Sequence, residues 1–432
     1  MDQIKKIFFL FFFLIFFNNS AYSAFQLGEG GPRVGGFFEA AFGYKFGQDQ
    51  TKRDDFNLAE QRLQLETALY PSQPQLLYDW RAAINFRGDF IVDEYFGGKT
   101  DFELRQLNLV ATPFSNIDVK LGRQILTWGT GDLVFLNDLF PKDYISFYIG
   151  RDVEYLKRPS DAVKISYYQD LFNLDFVVIP DFEPNQLPTG DRLSFFDSLE
   201  GGIAGRNSGR YLKEPANQPK NSEFALRLYR NIERYEVALY GFRGFYKSPR
   251  GYLDEAAHKL FYPRLDAYGA SIRGPLASGI ANFEFAYYNS RQDEEGNNRL
   301  IENSSTKYLI GYKKDLGNDL TLGGQYLFEH TLDYDNYQRA LRPGDFRWDK
   351  NYHLLTLRVT KLFKNQTVKV NLFTFYSPSD QDVYIRPSIA YDLTDSFKLT
   401  LGANLIWGRD DHTEFGQFEH NKNLYLRARY SF

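Results

Sequence analysis

Eleven basic side chains recur beside apolar residues along this chain: Arg62, Arg81, Arg87, Lys120, Arg123, Lys164, Arg227, Lys369, Arg386, Arg427 and Arg429. Most share their stretches with carboxylates, among them Glu60, Glu66, Asp79, Asp118, Asp175, Glu223, Glu236 and Glu284. A guanidinium binds carboxylates and other anions through two parallel hydrogen bonds, so unpaired arginines on one surface attract anions, while neighbouring acids neutralise others. A second group lies in 128–160, where Asp132, Asp138, Asp143, Arg151 and Asp152 punctuate an apolar, aromatic stretch beginning Trp128-Gly129-Thr130-Gly131. The aspartates with Asn137 offer oxygen ligands, but their spacing matches no defined calcium loop, so no metal site is expected there. The five histidines, His258, His330, His353, His412 and His420, stand beside no motif that supplies a nucleophile and its base. With no cysteine in 432 residues, thiolate metal sites and thiol nucleophiles are excluded. No cofactor is implied.

The elements that carry the basic residues alternate with period two. In 78–87 one face is Tyr78, Trp80, Ala82, Ile84 and Phe86, and the other Asp79, Arg81, Ala83, Asn85 and Arg87. Leu63, Leu65 and Leu69 oppose Glu60, Arg62, Gln64 and Glu66, and Phe397, Leu399, Leu401, Leu405 and Trp407 oppose Lys398, Thr400 and Asn404. Alternation sustained this long marks half-buried strands. Eighteen such segments run from 35–46 to 421–432. Short connections such as Pro113-Phe114-Ser115, Ile232-Glu233 and Lys364-Asn365 alternate with long ones, including 128–160, 181–222, 246–263 and 330–350.

The ends and the composition give these strands a setting. Residues 1–24 carry Lys5 and Lys6, an apolar run from Ile7 to Phe17 and the small-residue pattern Ala21-Tyr22-Ser23. That is the layout of a secretory signal peptide, and the run is far short of the roughly 20 residues a spanning helix needs. The formal charge is −4, and a leader of net +1 leaves about −5, which argues against a nucleic-acid partner. Aromatics make up 18% of the chain, with 31 Tyr and 41 Phe, a density suited to strands and membrane-interface girdles. Lipid offers a backbone no hydrogen-bond partner, so strands cross it only as a closed sheet.

Together these features predict an all-β fold: a transmembrane antiparallel β-barrel of about 18 strands (16–18), with short periplasmic turns and long extracellular loops, in residues 25–432. The expected location is a bacterial outer membrane, in contact with lipid and lipopolysaccharide. A barrel this wide leaves a channel unless something fills it, and the basic face would line that channel. The apolar loop 128–160 is expected to fold into the mouth and constrict it, its charged residues facing the narrowed pore. The proline- and glycine-rich loop 181–222 is expected to be irregular and mobile. Strict alternation would point Arg123 at lipid; a bulge at Gly122 is expected to turn it inward.

Two resemblances follow from particular residues. The last strand ends Ala428-Arg429-Tyr430-Ser431-Phe432, with apolar residues at alternate positions before the terminal aromatic. This resembles the signal by which outer-membrane barrels are recognised by their assembly machinery, which would assign that role to Tyr430 and Phe432. Leu121-Gly122-Arg123-Gln124 followed by Trp128-Gly129 resembles a strand motif of the alginate-export family and related porin-like families. That resemblance implies passive passage of an anionic solute or acidic polysaccharide past arginines, although the carboxylates of this lumen depart from a purely basic conduit. The rival functions are an outer-membrane adhesin or receptor working through its long loops, and a barrel hydrolase.

Overall fold

The computed structural model describes residues 25–26, 31–47, 55–70, 81–198, 200–205, 208–345 and 347–432. The proposed leader 1–24, the turn 71–74 and the first part of the segment 75–89 lie outside the described residues. Eighteen strands form the ring. They are β1 Arg33–Lys45, β2 Phe56–Leu69, β3 Arg81–Asp93, β4 Lys99–Phe114, β5 Ile117–Ile125, β6 Pro159–Tyr168, β7 Asn173–Ile179, β8 Glu223–Ile232 and β9 Tyr235–Phe245. The second half is β10 Arg264–Leu276, β11 Gly279–Ser290, β12 Ser305–Asp315, β13 Leu320–Thr331, β14 Asn351–Phe363, β15 Val368–Ser377, β16 Asp382–Asp392, β17 Phe397–Trp407 and β18 Asn423–Ser431. Each pairs antiparallel with its neighbours in sequence, and β18 returns to β1 from Phe37↔Ser431 to Lys45↔Asn423. The reciprocal bonds of Gly36 and Phe432, each 3.0 Å, finish the seam. The two-residue strand Phe25–Gln26 adds only a short pairing on β1.

The ring closes because the alternation is consistent all the way round. Leu107, Leu121, Leu239, Ile310, Leu357, Ile389, Leu401 and Leu426 stand exposed on its outer face. Tyr44, Tyr268, Tyr376 and Trp407 flank this apolar band towards one end, and Tyr235, Tyr312, Phe363 and Tyr391 towards the other. Two aromatic girdles around an apolar belt are what a bilayer-facing barrel presents. No helix among the described residues is long and apolar enough to cross a membrane. The connections are unequal. At one end they are as short as Glu233 and Arg234 between β8 and β9, and at the other they include 126–158 and 180–222.

Two details differ from expectation. The register through Gly122 is unbroken, with Leu107↔Arg123 and Gly122↔Ala162, so no bulge turns Arg123 inward. Arg123 stays on the outer face near the long-loop rim, bound to Asp161 at 3.0 Å with Glu183 at 3.6 Å. At the rim an arginine reaches acids and water, so it incurs little of the mid-bilayer penalty. A bulge lies on the preceding strand, β4, instead: Arg87 pairs with Gln106 and Gly88 with Leu104, which leaves Arg105 as the extra residue. It turns inward and is 3% exposed.

Candidate functional site

The inside of the ring is not empty. Residues 126–158, between β5 and β6, fold into it and touch strands around almost the whole circumference. The first anchor is Glu284 on β11. Its buried carboxylate accepts bonds from Thr130 N, from Thr130 Oγ1 and Gly131 N at 2.8 Å each, and from Asn137 Nδ2 at 2.8 Å. Several donors to one carboxylate replace the water lost on burial. Gly129, at φ 79°, lets the chain turn here, and a Cβ on it would lie 3.2 Å from that carboxylate. Asp132 then binds the Arg358 guanidinium of β14, with one contact of 2.8 Å, and its N–H donates to Gln325 of β13.

Further along, Asp143 caps the one-and-a-half-turn helix α1, Tyr144–Ile149, by accepting from Ser146 N at 2.8 Å. A side-chain oxygen at this position satisfies an otherwise orphaned N–H. The helix lays Phe147 edge-on against Tyr384 of β16 and Phe375 of β15. Gly150, at φ 92°, ends it, and a side chain there would collide with the Tyr425 ring of β18 at 2.2 Å. Beyond it the loop reaches β18, β1 and β2. Arg151 grips Glu60, with a 2.9 Å contact, Asp152 binds Arg427 at 2.8 Å, and Glu154 binds Arg429 at 2.9 Å. Tyr155 stacks under Arg62 at 4.1 Å and Arg105 at 4.8 Å, while Arg105 also donates to the carbonyls of Glu154 and Lys157. Val134, Leu136, Phe140, Phe147, Tyr148, Ile149 and Leu156 are buried against the inner wall. Each such side chain is worth about 1.5–3 kcal/mol of apolar burial.

Burial would raise the carboxyl of Asp152, but Arg427 and Arg429 outweigh it and hold the group down at about 2. At Asp143 burial prevails over Arg151 and Ser146, and the carboxyl is pushed up. Burial likewise pushes the Lys142 ammonium down despite Asp138, 2.9 Å away.

The structure thus separates the residues singled out in the sequence. Asp132, Arg151 and Asp152 hold the loop to the wall, whereas Asp138 and Asp143 are buried within the loop and do not face an opening. Of the basic residues expected to line the lumen, Arg62 pairs with Asp89, Arg87 with Glu66 at 2.6 Å, Lys164 with Asp175 at 3.2 Å and Arg227 with Glu236 at 2.7 Å. Arg427 and Arg429 are taken by Asp152, Glu154 and Glu39. Arg386 lies over the Phe147 ring at 4.0 Å. Arg81, Lys120 and Lys369 make no ion pair among the described residues and stand near the short-turn ends of β3, β5 and β15. Arg123 is outside the lumen.

Sequence reasoning missed three residues that hold the loop system together. Arg358 follows the inward parity of Leu354 and Thr356 and was there to be read; Arg105 was masked by its bulge. The third is Arg192 in the following loop, which binds Asp93 and the Asn57 carbonyl at 2.9 Å. That loop, 180–222, is laid on the first one rather than free: Gln186 N donates to Lys142 O at 2.8 Å, Asn185 accepts from Lys142 N at 2.8 Å, and Leu193 and Phe195 are buried. Two histidines have defined neighbours that supply no nucleophile, His330 with Asn351 and His353 with the Tyr326 hydroxyl.

No protein-family model matches this chain, and no curated protein matches it by sequence. Solved outer-membrane porins share its fold. Acinetobacter baumannii OccAB3 superposes with a TM-score of 0.57 at 9% identity, over 93% of this chain and 99% of that one. OccAB4 of the same organism gives 0.57 at 9% identity, over 96% and 100%. Pseudomonas aeruginosa OccK3 (OpdO) gives 0.56 at 11% identity, over 93% and 95%. At such identities the likeness is one of architecture: a closed antiparallel barrel of 18 strands.

Proposed function

We propose that this chain is a porin-like channel of a bacterial outer membrane, passing a small polar solute, preferentially an anion, by passive diffusion. The observation that carries this reading is the route of residues 126–158. They run inside a closed ring and bind Glu284, Arg358, Arg386, Glu60 and Arg427 on strands spread around it. A segment so placed takes cross-section from the lumen and leaves a constriction. The preference for anions rests on Arg81, Lys120 and Lys369, inward cations near the short-turn end that make no ion pair among the described residues, since fixed charges in a wet passage select the opposite sign. The acidic polysaccharide implied by the likeness to alginate-export barrels fits less well. Its wide conduit would need the lumen that the loop occupies, so a small anion is favoured. Tyr430 and Phe432, on the outer face of the closing strand, are read as the assembly signal. No catalytic step enters this reading.

The test is planar-bilayer conductance of the purified barrel, with reversal potentials in a salt gradient, before and after deletion of residues 132–150. The deletion is expected to raise single-channel conductance several-fold while the shortened protein still migrates as a folded barrel. Equal conductance in the two proteins sinks the constriction. An adhesin would conduct weakly with or without the loop.

A further inference from the structure

At the long-loop end of the lumen one carboxylate stands without a counter-ion. Glu414, in the connection 408–422 between β17 and β18, is exposed and makes no ion pair among the described residues. Its backbone is nevertheless fixed. Glu414 N donates to Asp380 Oδ2 at 3.4 Å. The next residue, Phe415, donates its N–H to Asp382 Oδ2 at 2.7 Å and packs its ring against Phe375 of β15 at 5.4 Å and Tyr384 of β16 at 5.7 Å. The charged groups that act on Glu414 are Arg250, Asp380, Glu329 and Lys307. Both of these cations are already matched, Arg250 by Glu302 at 3.0 Å and Lys307 by Glu329 at 2.9 Å. The Glu414 carboxylate therefore keeps an unneutralised charge at the mouth.

Tyrosines surround that charge. Tyr144 and Tyr148 stand four positions apart on α1 and so share one face of it. Tyr352 of β14 follows the inward parity of Leu354 and Thr356. Of the charges around each of these three phenols, Glu414 acts most strongly. Tyr148 is buried, 4.3 Å from the Phe418 ring. Tyr144 and Tyr352 are only partly buried against the core, and neither ring meets another aromatic ring or a cation among the described residues. The mouth thus combines a carboxylate on a fixed backbone with two partnerless rings, one carried by the constricting loop and one by the wall. Water satisfies a carboxylate at a mouth; the rings are what point to a particular ligand, because the face of an aromatic ring attracts a cation.

We propose that Glu414, Tyr144 and Tyr352 form a binding subsite for an organic ammonium group at the outer mouth of the lumen. The carboxylate supplies the opposite charge, and the rings favour a cation that gives up its water readily. A methylated ammonium does so, whereas a small inorganic cation is held by its hydration shell and gains less from an aromatic face. Because α1 belongs to the segment 126–158, a cation held here stands at the narrowed passage and obstructs it from the long-loop side. That consequence rests on the channel reading; the binding itself does not.

The full chain, folded in detergent at low salt, is titrated with choline chloride by calorimetry. Saturable binding is expected, with potassium competing far less well. Glu414→Gln and Tyr352→Leu, each checked for heat-modifiable migration, are expected to lose about fivefold or more in affinity, whereas Tyr352→Phe, which keeps the ring, is expected to bind like the parent. In planar bilayers choline is expected to reduce the current at lower concentration from the long-loop side than from the short-turn side. The proposal is overturned if the parent shows no saturable binding, if Glu414→Gln and Tyr352→Leu both bind like the parent, or if potassium competes equally. A barrel that binds choline in this way and carries no current upholds the subsite and removes the channel reading instead.

Discussion

Glu284 sits where the lumen-filling loop meets β11, and its chemistry sets how firmly that end is held. Four donors converge on a carboxylate that is 1% exposed. Hydrogen bonds to a buried charge contribute about 1.5–3 kcal/mol each, and an amide oxygen accepts more weakly and brings an N–H that faces donors. Glu284→Gln is therefore expected to weaken docking by about 2–3 kcal/mol; noisier single-channel traces and faster proteolysis within 130–137 would report it. At the loop's other end Asp152 gives a pH signature. Its folded-state value of about 2 lies below that of a free carboxyl, so its contribution is complete above the unfolded value of about 3.9 and is lost as pH falls through the folded one. Conductance set by this anchor is expected to hold steady from neutral pH down to about 4 and to rise only as pH approaches 2. The inward cations were legible from alternation alone, but which of them keep a free charge was not. That depends on partners such as Glu236 for Arg227 and Asp152 for Arg427, which only the ring and its loop bring together.

Every strand of the ring corresponds to one alternating segment of the sequence, because a strand with one lipid face and one wet face must carry period two in its residues. Leu401, mid-strand in β17 and 46% exposed on the outer face, makes this testable. Leu401→Arg is expected to cost about 2–4 kcal/mol, read as a lowered urea midpoint for conversion of the folded band on a gel. The opposite outcome, full tolerance, would mean that this face does not meet hydrocarbon. Periodicity failed where the backbone departs from it. Around Arg105 one added residue reverses the facing of the side chain, and nothing in Leu104-Arg105-Gln106 announces it. Around Gly122 the glycine invited a bulge that the register does not contain, because Asp161 and Glu183 satisfy Arg123 where it stands. In the long loops, proline and glycine marked irregular backbone, but the mobility expected from them for 181–222 does not hold for its first part. Residues 184–195 are fixed by Lys142, Asp93 and Asn421, all remote in sequence.

For the molecule as a whole, charge is arranged in two zones. Around the loop nearly every arginine meets an acid, so that zone resembles a buried ion-pair network more than an open field. Near the short turns the pairs Arg87–Glu66, Lys164–Asp175 and Arg227–Glu236 are joined by three inward cations, Arg81, Lys120 and Lys369, that make no ion pair among the described residues. The double variant Arg81→Glu with Lys369→Glu is expected to shift the reversal potential towards cation preference with little change in total conductance. An unmoved reversal potential would place the selecting charges elsewhere.

The anchors of the loop 126–158 also fix an order of events. Asp132 meets Arg358 across 226 positions of chain, and Tyr148 meets Asn423 across 275. Both contacts cross the lumen, and Asn423 stands on the strand that closes the ring, so the loop is expected to dock fully only once the hoop has closed. During that interval Phe140, Phe147, Tyr148 and Ile149 have nothing to rest on, and the growing barrel carries an adhesive patch of its own. Maturation is therefore expected to run in two stages, closure of the wall and then retraction of the loop, which protease access to 132–150 during refolding would follow. The second stage removes the surface most prone to aggregate.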